Sequence, residues 1–319
     1  LGRLISLNLD SIRIYKMHEN YMPLFSTVKN VHAHIDCDKM YKYENAPFTS
    51  LSIHSEHGAS LPRALVLNPT KLTDLCLVNC NILSINFAGL QLTELFVVRF
   101  GTMPDEFDIS QVSHMPLRRL ELRNFNITMC KLPIVELILD NCKVDLSSLN
   151  ILDDLTTLTL EACVITGELS NNVVHLEVNI DAFSTTEISR FNKLNLETLT
   201  TNLNLKDEDL LPFTNLKKLD VHRSLITGEL LPLGLESLDL FSACITTEGL
   251  KRIAQMPLRS LKLSSCGIKG QDLALISHLR LHTLGLQDNH IDVEYLALIK
   301  NMKLSTFIYT LKGLDCLRR

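Results

Sequence analysis

From Leu216 to the C-terminus the chain writes one twelve-residue phrase five times with small changes. LKKLDVHRSLIT (216–227) is followed by LESLDLFSACIT (235–246), LRSLKLSSCGIK (258–269), LHTLGLQDNHID (281–292) and LSTFIYTLKGLD (304–315). The shared frame is L-x-x-L-x-L-x-x-C/N/S-x-I, with its second anchor at Leu219, Leu238, Leu261, Leu284 and Phe307. Within the frame, apolar and polar residues alternate with period two, the pattern of a strand buried on one face. In LDLFSAC (238–244), Leu238 and Leu240 point inward and Asp239 and Phe241 outward. A unit this short cannot bury its apolar face alone, so a chain built from it must stack its repeats and cover each with its neighbours.

Working back from the clear region, anchors fall at Leu199, Leu176, Leu158, Leu137, Leu120, Leu95, Leu75 and Leu51, with Val31 and Leu7 continuing the series in poorer frames. The fifteen anchors are spaced 17 to 25 residues apart, about 21 on average. No Pro/Gly/Ser-rich stretch or charge run interrupts them, so the chain reads as a single domain, 1–319. Within it, 1–70 are irregular N-terminal repeats, 71–215 short variable repeats, and 216–319 regular repeats of 19–23 residues.

Repeat length decides how the chain returns from each strand. A 23-residue repeat has room for about two helical turns, whereas 17–20 residues permit only a 3₁₀ turn or an extended segment. TTEGLKRIAQM (246–256) places Leu250, Ile253 and Ala254 on one face, with Thr246 or Thr247 to cap the helix and Pro257 to close it. GQDLALISHL (270–279) and VEYLALIKNM (293–302) repeat the idea with Leu273/Ile276 and Leu296/Ile299. VDLSSLNILDD (144–154) and TGELSNN (166–172) are too short and polar for a regular helix.

The C-terminal frame resembles that of leucine-rich-repeat (LRR) proteins, and SACITTEGLKRIAQM (242–256) resembles the cysteine-containing and GALA-like classes, in which the strand leads into a G-L-x-x-L/I-A helix. ITGEL (165–169 and 226–230) echoes the first half of that junction. The resemblance implies an α/β fold, an LRR solenoid (horseshoe) with a parallel concave sheet of about 13–15 short strands and helices or 3₁₀ turns on the convex side. It also implies a protein partner, since these classes occur in F-box/LRR substrate receptors of ubiquitin ligases and in some pathogen effectors. Four of the nine cysteines (Cys80, Cys142, Cys163, Cys266) occupy one slot, five residues after the second anchor. In this fold that slot faces inward and satisfies backbone groups where the chain leaves the strand. Evenly spaced buried thiols in separate repeats are packing elements, not a disulfide framework, and point to the cytoplasm or another reducing compartment.

Net charge is −5, with 31 basic and 36 acidic residues, which gives no basic stripe for nucleic acid. No apolar run approaches the ~20 residues of a membrane span, so no membrane insertion is expected. The chain starts without Met and already inside a repeat, which reads as a fragment or processed product. G-x-S-x-G, H-E-x-x-H, P-loop and dinucleotide fingerprints are all absent, so no catalysis, no cofactor and no small-molecule substrate are expected. His32, His34, Cys37, His54 and His57 match no standard zinc spacing and read as surface residues rather than a metal site. Asn126-Ile127-Thr128 spells a glycosylation sequon at a strand exit, where Ile127 should be buried.

What remains are the outward strand positions. The residue after each anchor reads Cys76, Phe96, Glu121, Ile138, Thr159, Glu177, Thr200, Asp220, Asp239 and Lys262. Two residues on come Val78, Val98, Arg123, Asp140, Glu161, Asn179, Asn202, His222, Phe241, Ser264 and Gln287. The next column adds Arg99, Asn124, Asn141 and Arg223, and Glu94, Arg119 and Glu136 flank the anchor on its N-terminal side. Neighbouring strands lie ~4.8 Å apart, so residues in one row touch. Phe96 and Val98 beside Val78 form an apolar spot ringed by Arg99, Arg119, Glu121, Arg123, Glu136 and Asp140, the composition of a binding hot spot. Arg123–Asp140 and Arg119–Glu136 also read as solvated ladder pairs worth less than ~1 kcal/mol each. A second candidate is Asp220, His222, Arg223, Asp239 and Phe241.

Overall fold

From Val31 on, each frame becomes one short parallel strand in the computed structural model, which describes residues 11–14, 30–36, 48–55, 65–66, 72–80, 85–100, 105–179, 188–289 and 291–310. The chain divides into two compact units, one holding residues 1–156 and 161–167, the other 157–160 and 168–319. In the first, β1 (Ser11–Ile14), β2 (Asn30–Asp36), β3 (Ser50–His54), β4 (Asp74–Val78), β5 (Glu94–Val98), β6 (Arg119–Arg123) and β7 (Glu136–Asp140) lie side by side in chain order. The second holds β8 (Thr157–Glu161, its last residue aside), β9 (His175–Asn179), β10 (Thr198–Thr201) and β11 (Lys218–His222). It continues with β12 (Ser237–Phe241), β13 (Ser260–Ser264), β14 (Thr283–Gly285) and β15 (Thr306–Ile308), again in chain order. Parallel strands joined by one return segment per repeat are the leucine-rich-repeat solenoid that the frame implies.

The anchors form the core. Leu51, Leu75, Leu95, Leu120, Leu137, Leu158, Leu176, Leu199, Leu219, Leu238, Leu261 and Leu284 are all buried, and most strands between them alternate buried and half-buried residues. Register puts these anchors opposite one another, as in Leu75↔Leu95↔Leu120↔Leu137. Two expected anchors differ. Leu51 pairs with Ala33, not Val31, so the N-terminal series is displaced by two residues at β2. A two-residue shift keeps the same set of side chains on each face, which is why the alternation conceals it. Phe307, on the last strand, is 40% exposed and stacks on Tyr309 with ring centroids 5.9 Å apart. Leu7 lies outside the described residues.

Return segments differ by unit. In the first, Asp105–Asp108, Phe125–Thr128, Lys143–Asp145 and Val164–Thr166 pair as a second parallel sheet. Its register sets Phe107, Ile127, Val144 and Ile165 in line, all buried. This sheet departs from the helices or 3₁₀ turns expected on the convex side. Three of its strands lie in repeats of 17 to 21 residues, where extended chain fits, and Asp105–Asp108 in the 25-residue repeat before them joins their edge. 3₁₀ turns accompany it at Ile109–Val112 and Leu146–Ile151. In the second unit helix appears where repeats lengthen. Here α1 (Thr247–Ile253) is capped by Thr246, whose hydroxyl accepts from the Gly249 N–H, and it buries Leu250 and Ile253. Further on, α2 (Leu273–Ile276) continues a 3₁₀ turn at Gly270–Asp272 and buries Leu273 and Ile276. The 293–302 segment forms a 3₁₀ helix, Val293–Ile299, that buries Ile299 and leaves Leu296 half-exposed.

The inward slot is filled in eight of the described repeats, four in each unit, whereas Phe100 and Asn204 at the same position are exposed. Cys80, Phe125, Cys142, Cys163, Ser224, Ala243, Cys266 and Asn289 occupy it, and every one is buried. The preceding residue (Asn79, Asn124, Asn141, Ala162, Arg223, Ser242, Ser265, Asp288) has positive φ between 49° and 67°, the left-handed turn that ends these eight strands. The thiols of Cys142 and Cys266 each donate to two carbonyls, Leu122 and Asp140, and Leu240 and Ser264. Asn289 does more: its amide donates to Leu263 and Gln287, and its oxygen accepts from the N–H of Cys266 and Ile268. Burial pushes the Cys266 thiol up to about 11, so it stays protonated.

Candidate binding sites on the strand faces

Two columns of outward side chains flank the buried anchors of the first unit. Before the anchor, register sets Ser50, Asp74, Glu94 and Arg119 in line, and Glu136 comes next. After it come Ser52, Cys76, Phe96, Glu121 and Ile138. Short side chains on β3 and β4 meet longer ones on β5 and β6, and the step leaves a hollow of about 300 Å³. Ser50, Asp74, Cys76, Glu94, Phe96, Arg119 and Glu121 line it, with Leu75 and Leu95 beneath.

Charges around the hollow form a ladder. Arg123 pairs with Asp140 at 2.6 Å, and Arg119 reaches Glu121 at 3.7 Å and Glu136 at 3.8 Å. Both pairs read from the strand alignment are present. Glu121 is held above the usual carboxylate range, chiefly by burial; the Arg119 and Arg123 guanidiniums oppose the shift, and Asp140 and Glu161 add to it. Burial likewise raises the Cys76 thiol, a Ser52 hydrogen bond opposing it.

Some expected contact residues stand elsewhere. Val98 is only 3% exposed, because its short branched side chain lies between its row neighbours Val78 and Arg123. It supports the face rather than presenting itself on it. Asn124 is equally buried, since its left-handed backbone turns it toward the Asn141 amide, which donates to its side-chain oxygen. Arg99 is half-buried and donates to the Cys80 carbonyl, so it ties one repeat to the strand exit of the previous one. Ser264 is buried and donates to Gln287. Phe96, Arg119, Glu121, Arg123 and Asp140 do share one face. Sequence reasoning misses Ser50 and Asp74; they belong to the same pre-anchor column as Glu94, Arg119 and Glu136, which is the signal that finds them.

In the second unit Asp220, Asp239 and Lys262 are in line, and Lys262 donates to Asp239 at 2.7 Å. His222 lies 3.3 Å from Asp220 and its ring is tilted against Phe241, centroids 5.8 Å apart. Asp220 is raised by burial first and by Asp239 second, with His222, Lys218 and Lys262 opposing. Arg223 is exposed at the turn after β11. Asp220, Asp239 and Lys262 share one row, His222 and Phe241 the next, and Phe241 is half-buried like Phe96.

Among the described residues no three metal-ligating side chains converge, and no helix is long and apolar enough to cross a membrane. Of the histidine group, Cys37 and His57 lie outside the described residues; His54 shares a hydrogen bond with Ser52 at 2.9 Å. Ile127 of the sequon is buried.

No family model matches the chain, and no curated protein matches it either. Among the solved structures that match is an internalin (inlF) from Listeria monocytogenes, 20% identical, with a TM-score of 0.49 over 85% of this chain and 89% of that one.

Proposed function

We propose that this chain is a non-enzymatic scaffold that holds a protein partner against the strand face of its N-terminal unit. The observation that carries the reading is the half-buried Phe96, set beside a hollow within a ladder of paired charges. An aromatic held rigidly and flanked by arginines loses little entropy on contact and contributes a large apolar area. The arginines of the surrounding ion pairs remain nearly half exposed and available to a partner, so they serve orientation and selectivity. The absence of nucleophile, base or phosphate-cradling motifs supports a binding role, and the acidic balance favours neither nucleic acid nor a membrane surface.

The test is affinity capture with the intact chain, followed by binding measurements on the captured protein with wild type and a Phe96→Ala/Arg123→Ala variant. Loss of a hot-spot aromatic with its flanking arginine weakens binding by at least about thirtyfold. Equal binding by a folded double variant overturns the assignment of this face.

A further inference from the structure

Within the hollow the charges do not balance. Arg119 is engaged by Glu121 and Glu136, at 3.7 and 3.8 Å. Asp74 accepts a hydrogen bond from the Thr73 hydroxyl at 3.0 Å, but no cationic side chain among the described residues pairs with it or with Glu94. These two carboxylates are adjacent in register and stand on one wall. Phe96 and Cys76, also adjacent, form the other. At about 300 Å³ the hollow is at the lower end of ligand-pocket sizes and ample for one long side chain.

Resting on the reading of this face as a protein-docking surface, we infer that the hollow receives an arginine side chain of the partner, its guanidinium held between Asp74, Glu94 and the ring of Phe96. Three features select a guanidinium. The strands that carry Asp74 and Glu94 are neighbours, ~4.8 Å apart, and a planar fork with donors on several edges can engage both carboxylates in bidentate geometry that an ammonium does not offer. A guanidinium also stacks on an aromatic face, and its weak hydration lowers the cost of leaving water. Glu121, on the far side of Phe96, adds negative potential, while Arg119 closes the hollow against acidic side chains.

Cys76 lines the hollow, so its alkylation reports occupancy. The intact chain is titrated with N-acetyl-arginine amide, N-acetyl-lysine amide, the neutral isostere N-acetyl-citrulline amide and N-acetyl-aspartate amide. Iodoacetamide labelling is then followed at Cys76 by mass spectrometry, with exposed Cys244 as internal reference. The arginine compound slows labelling of Cys76 with a midpoint near the millimolar range and leaves Cys244 unaffected, while citrulline and aspartate compounds do nothing. Asp74→Asn/Glu94→Gln, which removes no contact of the fold beyond the Thr73 bond, raises the midpoint about tenfold, the order of one charge-assisted hydrogen bond. Asp74→Asn alone serves if the double variant is unstable. Protection by citrulline or aspartate, or equal protection by lysine and arginine compounds, overturns the assignment.

The two proposals fail separately. If the captured partner depends on Phe96 and Arg123 but not on Asp74 and Glu94, the docking face stands and the arginine falls. If arginine protects Cys76 while the partner ignores Phe96, the hollow stands and the docking face falls.

Discussion

The repeats from Leu120 to Leu176 and those from Leu238 to Phe307 carry the same strand frame but are backed differently. The former are spaced 17, 21 and 18 residues and return through extended segments that pair as a second sheet. The latter are spaced 23 residues throughout and return through α1, α2 and a 3₁₀ helix. Each return must cross a similar distance to reach the next strand. Extended chain covers ~3.3 Å per residue and an α-helix ~1.5 Å, so a short return has to be extended, whereas a long one has room to coil. Length permits each backing without dictating it, since the 25-residue repeat from Leu95 to Leu120 still contributes Asp105–Asp108 to the second sheet, while the frame sets the strand face independently.

The comparison breaks most readily at the anchors. Leu120 and Leu261 are both fully buried, one before each kind of return. If the frame is indifferent to its backing, Leu120→Ala and Leu261→Ala each cost about 2–5 kcal/mol in denaturant unfolding. Each should loosen adjacent repeats together, since repeats are stabilised by their neighbours. A Leu261→Ala chain with unchanged unfolding contradicts the anchor assignment, and a near-neutral Leu120→Ala alone would show the second sheet replacing the core.

The inward slot sharpens the contrast at smaller scale. Asn289→Ala strands the Cys266 and Ile268 N–H groups and two carbonyls, a loss of about 1–3 kcal/mol. Cys142→Ala removes two weak thiol bonds and should lose on the order of 1 kcal/mol. Equal losses in chemical unfolding would mean that the slot is filled for volume alone.

The smallest effect concerns Asp220. Its folded pKa is raised by burial and by Asp239, so the folded state holds its proton to higher pH than the unfolded chain does. Stability from this group is therefore complete below the ordinary carboxylate pKa and lost as pH rises through the folded value. Asp220→Asn should flatten that decline in thermal melts taken from acid to neutral pH. An unchanged slope would show that His222 and Lys262 offset the burial.

Much of this is legible in the chain itself. Alternation at period two identifies the buried face from Leu51 to Leu284, the slot explains four cysteines, and TTEGLKRIAQM announces its helix, cap included. Arg123–Asp140 comes from anchor alignment alone, because equivalent positions in stacked strands must be neighbours. Other features are hidden. Parity places Val98 outward, correctly, but is silent on how far its neighbours cover it. A valine resembles an anchor more than an alanine does, so the sequence favours Val31 over Ala33, and a two-residue slip leaves parity intact. The second sheet escapes because its strands of three or four residues are too short for periodicity to register.

Sequence alone determined that this chain repeats, which side chains line its core, and which columns meet the solvent, since all three follow from a local period that each repeat states for itself. Tertiary structure decided how far Val98 and Asn124 sink, that Ser50 and Asp74 join Phe96 and Glu94 around one hollow, and that the short returns form a sheet. Those outcomes depend on what stands in the adjoining repeat, about twenty residues away along the chain, and on the relative sizes of side chains brought side by side. No single repeat carries that information.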